Sequence, residues 1–152
     1  MGKMSIIVLI LTIAIASTIV ATVIKKKIYT DLYLAINEKE YDYFFAKVDK
    51  VLAKAMLDTY TREGMRLSVY IAQTNKEEVK NQFNKMMKMK LNNYQLSDLL
   101  TKGYRYYYQQ GDIQKSGKIF EQLKTVMSGE QISQYEDFLV KSIKNYKRQY
   151  EV

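Results

Sequence analysis

Carboxylates are the principal side chains in this sequence that could serve as general acids or bases. The chain of 152 residues contains 16 Asp and Glu but neither histidine nor cysteine. Histidine is the commonest general base and transition-metal ligand, and cysteine supplies thiolate nucleophiles, zinc ligands and disulfides. Glu77 and Glu78 are adjacent on a predicted helix, so their side chains point in different directions and cannot act jointly. The sequence therefore predicts a protein that is not an enzyme and that holds no metal or cofactor.

Tyrosine and arginine, which commonly anchor protein interfaces, are concentrated in one segment. Residues 103–110 read GYRYYYQQ, with Arg105 among four of the 14 tyrosines of the chain. On a helix these aromatics would point to every side, so at least half of them are expected to pack in the core. Whether an individual tyrosine belongs to the core or contacts a ligand stays open. The segment indicates binding rather than catalysis.

The elements that position these residues are predicted to be helices. The chain has no proline and only six glycines. It is rich in Lys, Leu, Met, Gln and Glu, which favour helix, and few residues are present that would break one. The predicted fold class is all-α.

The N-terminal segment is predicted to be a single transmembrane helix. Residues 5–24 form a run of 20 without a charge, about 30 Å of helix, which is the thickness of a hydrocarbon core. Hydroxyls inside the run can bond back to the helix backbone. The alternative is a cleaved signal peptide, with Ala14-Ile15-Ala16 as the small-x-small site. The apolar run continues eight residues past Ala16, which favours an uncleaved anchor.

Basic residues beside this run predict its orientation. Lys25, Lys26 and Lys27 follow it directly, whereas the other side offers only Lys3 and the amino terminus. The excess of positive charge favours a cell membrane protein with its C-terminal domain in the cytoplasm. The small residues Ala14 and Thr18 would allow two spans to pack together, so the sequence is compatible with a homo-oligomer.

The rest of the chain contains a repeat. Asn37, Asn75 and Asp112 are predicted N-caps, separated by 38 and 37 residues. Glu40 and Glu78 would complete capping boxes after the first two. A phenylalanine follows each anchor by eight residues: Phe45, Phe83 and Phe120. Each unit is therefore predicted to be a helix, a tight turn and a second helix whose inward face begins with Phe.

This pattern resembles the tetratricopeptide repeat family. The third unit carries the resemblance best, through Gly103–Gln110, Gly111-Asp112, Ser116, Phe120 and Leu123. The resemblance implies a helical-hairpin solenoid of about three repeats over residues 28–152, behind an anchor at residues 1–27. The predicted helices are an extension of the span to residue 36, then 38–56, 59–74, 76–90, 94–110 and 113–127. A closing helix would run from Ser128 to about Tyr150.

The resemblance also implies a function, because the family holds peptides on the inner face of the first helix of each pair. Carried over by position, the partner-binding residues are Tyr33, Ser68, Ile71, Arg105, Tyr108, Gln109, Asn145 and Tyr146. The chain would then be a membrane-anchored adaptor or accessory subunit of a membrane complex. Its partners would be a protein or peptide, and the lipid bilayer through residues 5–24.

An alternative is binding of anionic lipid or nucleic acid by basic helices. Residues 28–152 contain 20 basic and 16 acidic residues, a net charge of +4, which is too small to favour nucleic acid. The helix predicted at 76–90 combines five lysines with Met86, Met87 and Met89, as a membrane-surface helix would. The simpler interpretation is that Phe83, Met86 and Met89 are core positions and the lysines form a solvated face.

Overall fold

The computed structural model describes residues 3–130, 132 and 133, and every regular element in that range is helical. The helices are α1 (Lys3–Asn37), α2 (Tyr41–Val48), α3 (Val51–Met56), α4 (Thr59–Ala72), α5 (Lys76–Met87), α6 (Asn93–Gln109) and α7 (Ile113–Val126). The predicted all-α class is confirmed. The predicted closing helix lies outside the described residues except for its first turn, where the Ile132 amide donates to the Ser128 carbonyl at 3.0 Å. Asn145 and Tyr146 also lie outside them.

The chain divides into two compact units, residues 1–82 and residues 83–152, and the boundary falls within α5. The predicted boundary after residue 27 separates a membrane anchor from the repeat domain, and packing within the chain does not test it. This boundary stays a prediction. The assembly of successive hairpins into one solenoid likewise stays a prediction.

The first part of α1 is an apolar helix that is long enough to cross a membrane or to serve as a signal sequence. Its most apolar stretch has a mean hydropathy of 2.8, and none of it is buried against the protein. The hydroxyls bond back to the helix as predicted: Thr12, Ser17, Thr18 and Thr22 donate to carbonyls three or four residues earlier, at 2.8–2.9 Å. These bonds satisfy the polar groups that the apolar stretch contains.

The same helix then becomes part of the core of the first unit. It runs without a break through the three lysines to Asn37, as predicted, and Leu32 and Ala35 near its end are buried. They pack in one cluster with residues of α2, of α4 and of the turn between α3 and α4: Phe44, Val48, Leu57, Met65 and Val69. The apolar stretch and the folded unit therefore share one continuous helix rather than being joined by a linker.

Turns of one type join the two helices of each of the three hairpins. Lys39, Thr74 and Gly111 adopt φ angles of 62°, 55° and 74°, the left-handed conformation that ends many helices. In each turn this residue donates to the carbonyl three positions back, and the next residue donates to the carbonyl five back, at 2.8–3.2 Å. The residues after the turns are Glu40, Asn75 and Asp112. The structural repeat therefore has spacings of 35 and 37 residues, counted between these three positions.

This register corrects the first unit of the predicted repeat. Asn37 is the last residue of α1 rather than an N-cap, and Glu40 precedes α2 without a side-chain cap. The left-handed conformation of Lys39 lies in a turn that places the start of α2 at Tyr41, three residues later than predicted. Asn75 and Asp112 do cap as predicted, because their carboxamide and carboxylate oxygens accept from the amides of Glu78 and Lys115.

Buried positions follow the corrected register. Eight residues before each cap position, and four after it, the side chain is buried; these six residues are Leu32, Leu67, Tyr104, Phe44, Val79 and Ser116. Phe45, which the predicted register placed in the core, is only partly buried. Phe83 and Met86 are buried as predicted, and the lysines of α5 are exposed.

The helix predicted at 38–56 is also corrected, since it is broken into α2 and α3. Asp49 and Lys50 interrupt it, and Lys50 is extended, with φ −62° and ψ 150°. Asp49 forms an ion pair with Arg66 of α4, and Arg62 lies 3.9 Å from the same carboxylate. We attribute the break to this attraction, which holds Asp49 toward α4 and offsets the loss of helical hydrogen bonds.

In the second unit, α6 and α7 pack as a helix–turn–helix hairpin. The N-terminus of α6 carries a capping box between Asn92 and Gln95. The ring of Phe83 packs against α6 at Gly103 and meets Tyr107 edge to face, with centroids 6.1 Å apart. Lys115 of α7 lies 3.8 Å from the centroid of the Tyr107 ring, a cation–π contact that joins the two helices.

Candidate functional site

The predicted partner-binding residues of the described range fall in equivalent positions on the first helices of the hairpins. Counted back from the cap positions, the row at seven residues contains Tyr33, Ser68 and Arg105, and the row at four contains Ile36, Ile71 and Tyr108. The row at three contains Asn37, Ala72 and Gln109. The middle row is half-buried in all three hairpins, and the last row is exposed in all three. The rows form one stripe along each helix.

Tyr33 needs a correction of register within this set. The predicted repeat matched it to Ile71 and Tyr108, but the turn geometry matches it to Ser68 and Arg105. Its ring is 52% exposed and stacks on Tyr29, with centroids 6.4 Å apart. Ser68 is half-buried, and its hydroxyl donates to the Gly64 carbonyl at 3.1 Å.

In the second unit the stripe consists of Arg105, Tyr108 and Gln109 on α6. Arg105 and Gln109 are exposed, and Tyr108 is half-buried and stacked on Tyr104 at 5.8 Å between centroids. The other tyrosines of the cluster, Tyr104, Tyr106 and Tyr107, are each 5–6% exposed, so the prediction that at least half of the cluster is core is confirmed. Burial raises the pKa of Tyr104 to about 12, so this phenol stays neutral and packs as an aromatic.

Lys25, Lys26 and Lys27 are exposed on α1 where the apolar stretch ends. Beside them, a groove of about 500 Å³ lies between α1 and the α2–α3 segment. Its floor is apolar, from residues such as Ile24, Ile28 and Leu52, and its rim carries three lysines and Asp31: Lys27, Lys47 and Lys50. Asp31 accepts a hydrogen bond of 3.0 Å from the Tyr43 hydroxyl.

A second groove lies further along α1, inside the apolar stretch. It has a volume of about 460 Å³ and is lined by residues of α1 from Ser17 to Lys25 together with Ala55 and Met56 of α3. α3 was not among the predicted functional elements. Its sequence, VLAKAM, does contain an indication of such a role. Apolar residues occupy two faces of this short helix, whereas a helix that packs on a core needs only one apolar face.

The buried carboxylate of the first unit, Glu63, is hydrogen-bonded rather than poised for chemistry. Glu63 is 6% exposed, and Gln82 donates to its carboxylate at 2.7 Å and to its backbone carbonyl at 3.0 Å. The hydrogen bond from Arg66 lowers the pKa of Asp49 below its ordinary value. Within the described part of the chain, no three carboxylates are grouped so that they could hold a metal ion. We interpret this network as structural, linking α4 to α5 and to the α2–α3 corner.

Comparison of the chain with protein-family models, with curated proteins and with solved structures finds no match.

Proposed function

We propose that this chain is a membrane-anchored protein-interaction module that binds a protein or peptide on the stripes that the first helices of its tetratricopeptide-like hairpins each present. The observation that carries the proposal is the equivalence of the stripe in all three hairpins. The turns repeat with one geometry, and each preceding helix presents a half-buried row between two rows that are exposed at every position except Ser68.

The side chains of the stripe fit a peptide partner. Arg105 and Tyr33 supply a cation and an aromatic ring, the residue types that carry most interface energy. Gln109 and Asn37 are exposed carboxamides that can donate to and accept from a peptide backbone. The half-buried residues Ile36, Ile71 and Tyr108 each add an apolar contact to the stripe of their own helix.

The anchor explains why so small a module would be useful. The continuous α1 supports insertion of residues 5–24 in a cell membrane, with the folded part held directly against the surface. Confinement to the membrane raises the effective concentration of the module near other membrane proteins, so a weak peptide contact suffices for recruitment. The basic residues at 25–27 favour the cytoplasmic side.

Site-specific photo-crosslinking in cells tests the proposal. A benzophenone amino acid replaces Gln109 on the stripe, and in a matched control it replaces Lys118, an exposed residue of α7 away from the stripe. We expect adducts of defined mass from position 109 that are absent from position 118 and that weaken when Arg105→Glu is added. Identical adducts from both positions, or none from position 109, would contradict the proposal.

A further inference from the structure

The helix α3 has an apolar face that the first unit does not cover. Ala53 and the following Leu57 are 3% and 2% exposed and form the inner face. Val51 and Leu52 are 85% and 53% exposed, and Ala55 is exposed as well. Together with the half-buried Met56, these residues are spaced i, i+1, i+4 and i+5, so they share one outer face.

The position of α3 along α1 indicates what lies against this face. Leu52 shares the first groove with Ile24 and Ile28, whereas Ala55 and Met56 share the second groove with α1 residues from Ser17 to Lys25. The helix therefore descends beside α1 from the lysines into the apolar stretch. Eight residues separate Ser17 from Lys25, which corresponds to roughly 12 Å of helix.

The charge of Lys25 also indicates where the end of α3 lies along α1. Asp58 caps the next helix, α4, by accepting from the Thr61 amide at 2.9 Å. Burial acts to raise the pKa of Asp58, but hydrogen bonds from Thr61 and the positive charge of Lys25 outweigh it and lower that pKa below its ordinary value. The polar turn after α3 therefore lies near enough to Lys25, where the apolar stretch ends, for the lysine charge to act on Asp58.

We propose that α3 is an interfacial helix, whose outer face of Val51, Leu52, Ala55 and Met56 lies among the lipids at the headgroup–acyl boundary beside α1. This inference rests on the proposed membrane anchor. A bilayer is the occupant that suits the face, because the apolar surface is continuous with the apolar stretch of α1. Lys50 and Lys54 are exposed beside this face, and side chains of that length can reach back to lipid phosphates.

Contact with lipid explains the exposed apolar face of α3, which contact with water would not favour. Apolar side chains on two faces of a six-residue helix expose surface that a soluble domain would normally cover. Two points of insertion, α1 and α3, would also fix the folded unit in one orientation on the membrane. The stripes of the first unit, on α1 and α4, would then be presented at a constant angle to the bilayer.

Single-cysteine labelling tests the depth of α3, because the natural chain has no cysteine. Three variants, Val20→Cys, Ala46→Cys and Ala55→Cys, are labelled with the environment-sensitive fluorophore NBD. They are reconstituted in vesicles of phosphatidylcholine with a minority of phosphatidylglycerol, with and without acyl-brominated lipid. Val20 lies in the apolar stretch, and Ala46 is an exposed alanine of α2 that serves as the matched control for Ala55.

We expect a blue-shifted emission for the label at 55, with bromolipid quenching at least half as strong as at 20, and neither effect at 46. If the label at 20 is strongly quenched and the label at 55 behaves like the label at 46, the inference about α3 is overturned and the anchor is left intact. Absence of quenching at 20 would overturn the anchor and the inference with it. Equal quenching at 46 and 55 would overturn the assigned depth. Leu52→Cys is a second probe of the face should the label at 55 disturb folding.

Discussion

Gly103 of α6 lies directly against the ring of Phe83, so closely that a Cβ atom on Gly103 would stand 2.7 Å from Phe83 Cζ and would also overlap Cε2. Phe83 is 6% exposed and its ring is also in contact with Tyr107, so it has little room to move aside. We expect Gly103→Ala to lower the free energy of unfolding by about 1–3 kcal/mol through overpacking. Urea unfolding of the full chain in detergent micelles, followed by circular dichroism, measures this.

Gly117 of α7 provides the control for that substitution. It lies inside a helix, and nothing approaches within 4 Å of the position that its Cβ would take. Gly117→Ala should therefore raise the free energy of unfolding by roughly 0.5–1 kcal/mol, because alanine loses less backbone entropy on folding. Equal effects of the two substitutions, in either direction, would show that the contact with Phe83 does not constrain Gly103.

The buried carboxylate of Glu63 depends on Gln82. The Gln82 amide donates to both the carboxylate and the backbone carbonyl of Glu63, and both residues are 6% exposed. Gln82→Leu would remove the donor and leave a buried charged acceptor without it, so we expect a loss of about 1–3 kcal/mol in the free energy of unfolding. Asn81→Leu, at an exposed neighbouring position, is the control and should change it by less than about 0.5 kcal/mol. Comparable losses from the two variants would contradict the assigned role of Gln82.

The first unit should lose stability in acid through Asp49. The hydrogen bond from Arg66, aided by the charges of Lys54 and Arg62, lowers the pKa of Asp49 below 3.8 in the folded chain. A lowered carboxyl pKa stabilises the folded state above the unfolded pKa, and this contribution disappears as the pH falls through the folded pKa. We expect the urea midpoints of the natural chain and Asp49→Asn to differ at neutral pH and to converge below about pH 4. A constant difference down to acid pH would exclude Asp49 as the titrating group.

Alkaline conditions should affect the second unit through Tyr104. Burial raises its pKa from 10.0 to about 12, with the neighbouring Tyr108 adding to the shift. A raised pKa stabilises the folded state below the unfolded pKa, so this contribution is lost as the pH rises from 10 to about 12. Tyr104→Phe should show a shallower fall of the urea midpoint across that range, whereas Tyr29→Phe, which alters an exposed ring, should follow the natural chain. Parallel curves for Tyr104→Phe and the natural chain would contradict the assignment.

Sequence patterns predicted the helices well but misplaced the first repeat, for a physical reason. Asn37 and Glu40 have the residue types and spacing of a capping box, yet the turn is set by the backbone, where Lys39 takes the left-handed conformation. Nothing in a lysine indicates that conformation, whereas Gly111 does, and the third unit was predicted in the correct register. The correct first-unit pattern is visible only when Phe44, rather than Phe45, is known to be buried.

The break between α2 and α3 was beyond prediction for a related reason. Asp49 and Lys50 are compatible with a helix interior, and Arg66, to which we attribute the break, belongs to a helix 17 residues later along the chain. For the candidate site, helical spacing was enough to place Arg105, Tyr108 and Gln109 on one stripe of α6, whereas Tyr33 needed a corrected register. The depth of α3 beside α1 depends on tertiary packing and could not be read from spacing.

The three lysines after the apolar stretch should decide which side of the membrane the folded part occupies. They outnumber Lys3 and the amino terminus only narrowly, so the orientation is expected to be sensitive to their removal. A C-terminal tag on the natural chain should be digested by protease in inverted vesicles and protected in intact cells. Replacing Lys25, Lys26 and Lys27 with Gln, and adding lysines at the amino terminus, should reverse that pattern.

The intact mass of the membrane-bound chain supplies the control, because cleavage after Ala16 would release a shorter chain and would make residues 5–24 a signal sequence. Digestion of the natural chain in intact cells at full mass would place the binding stripe outside the cytoplasm and direct the partner search there.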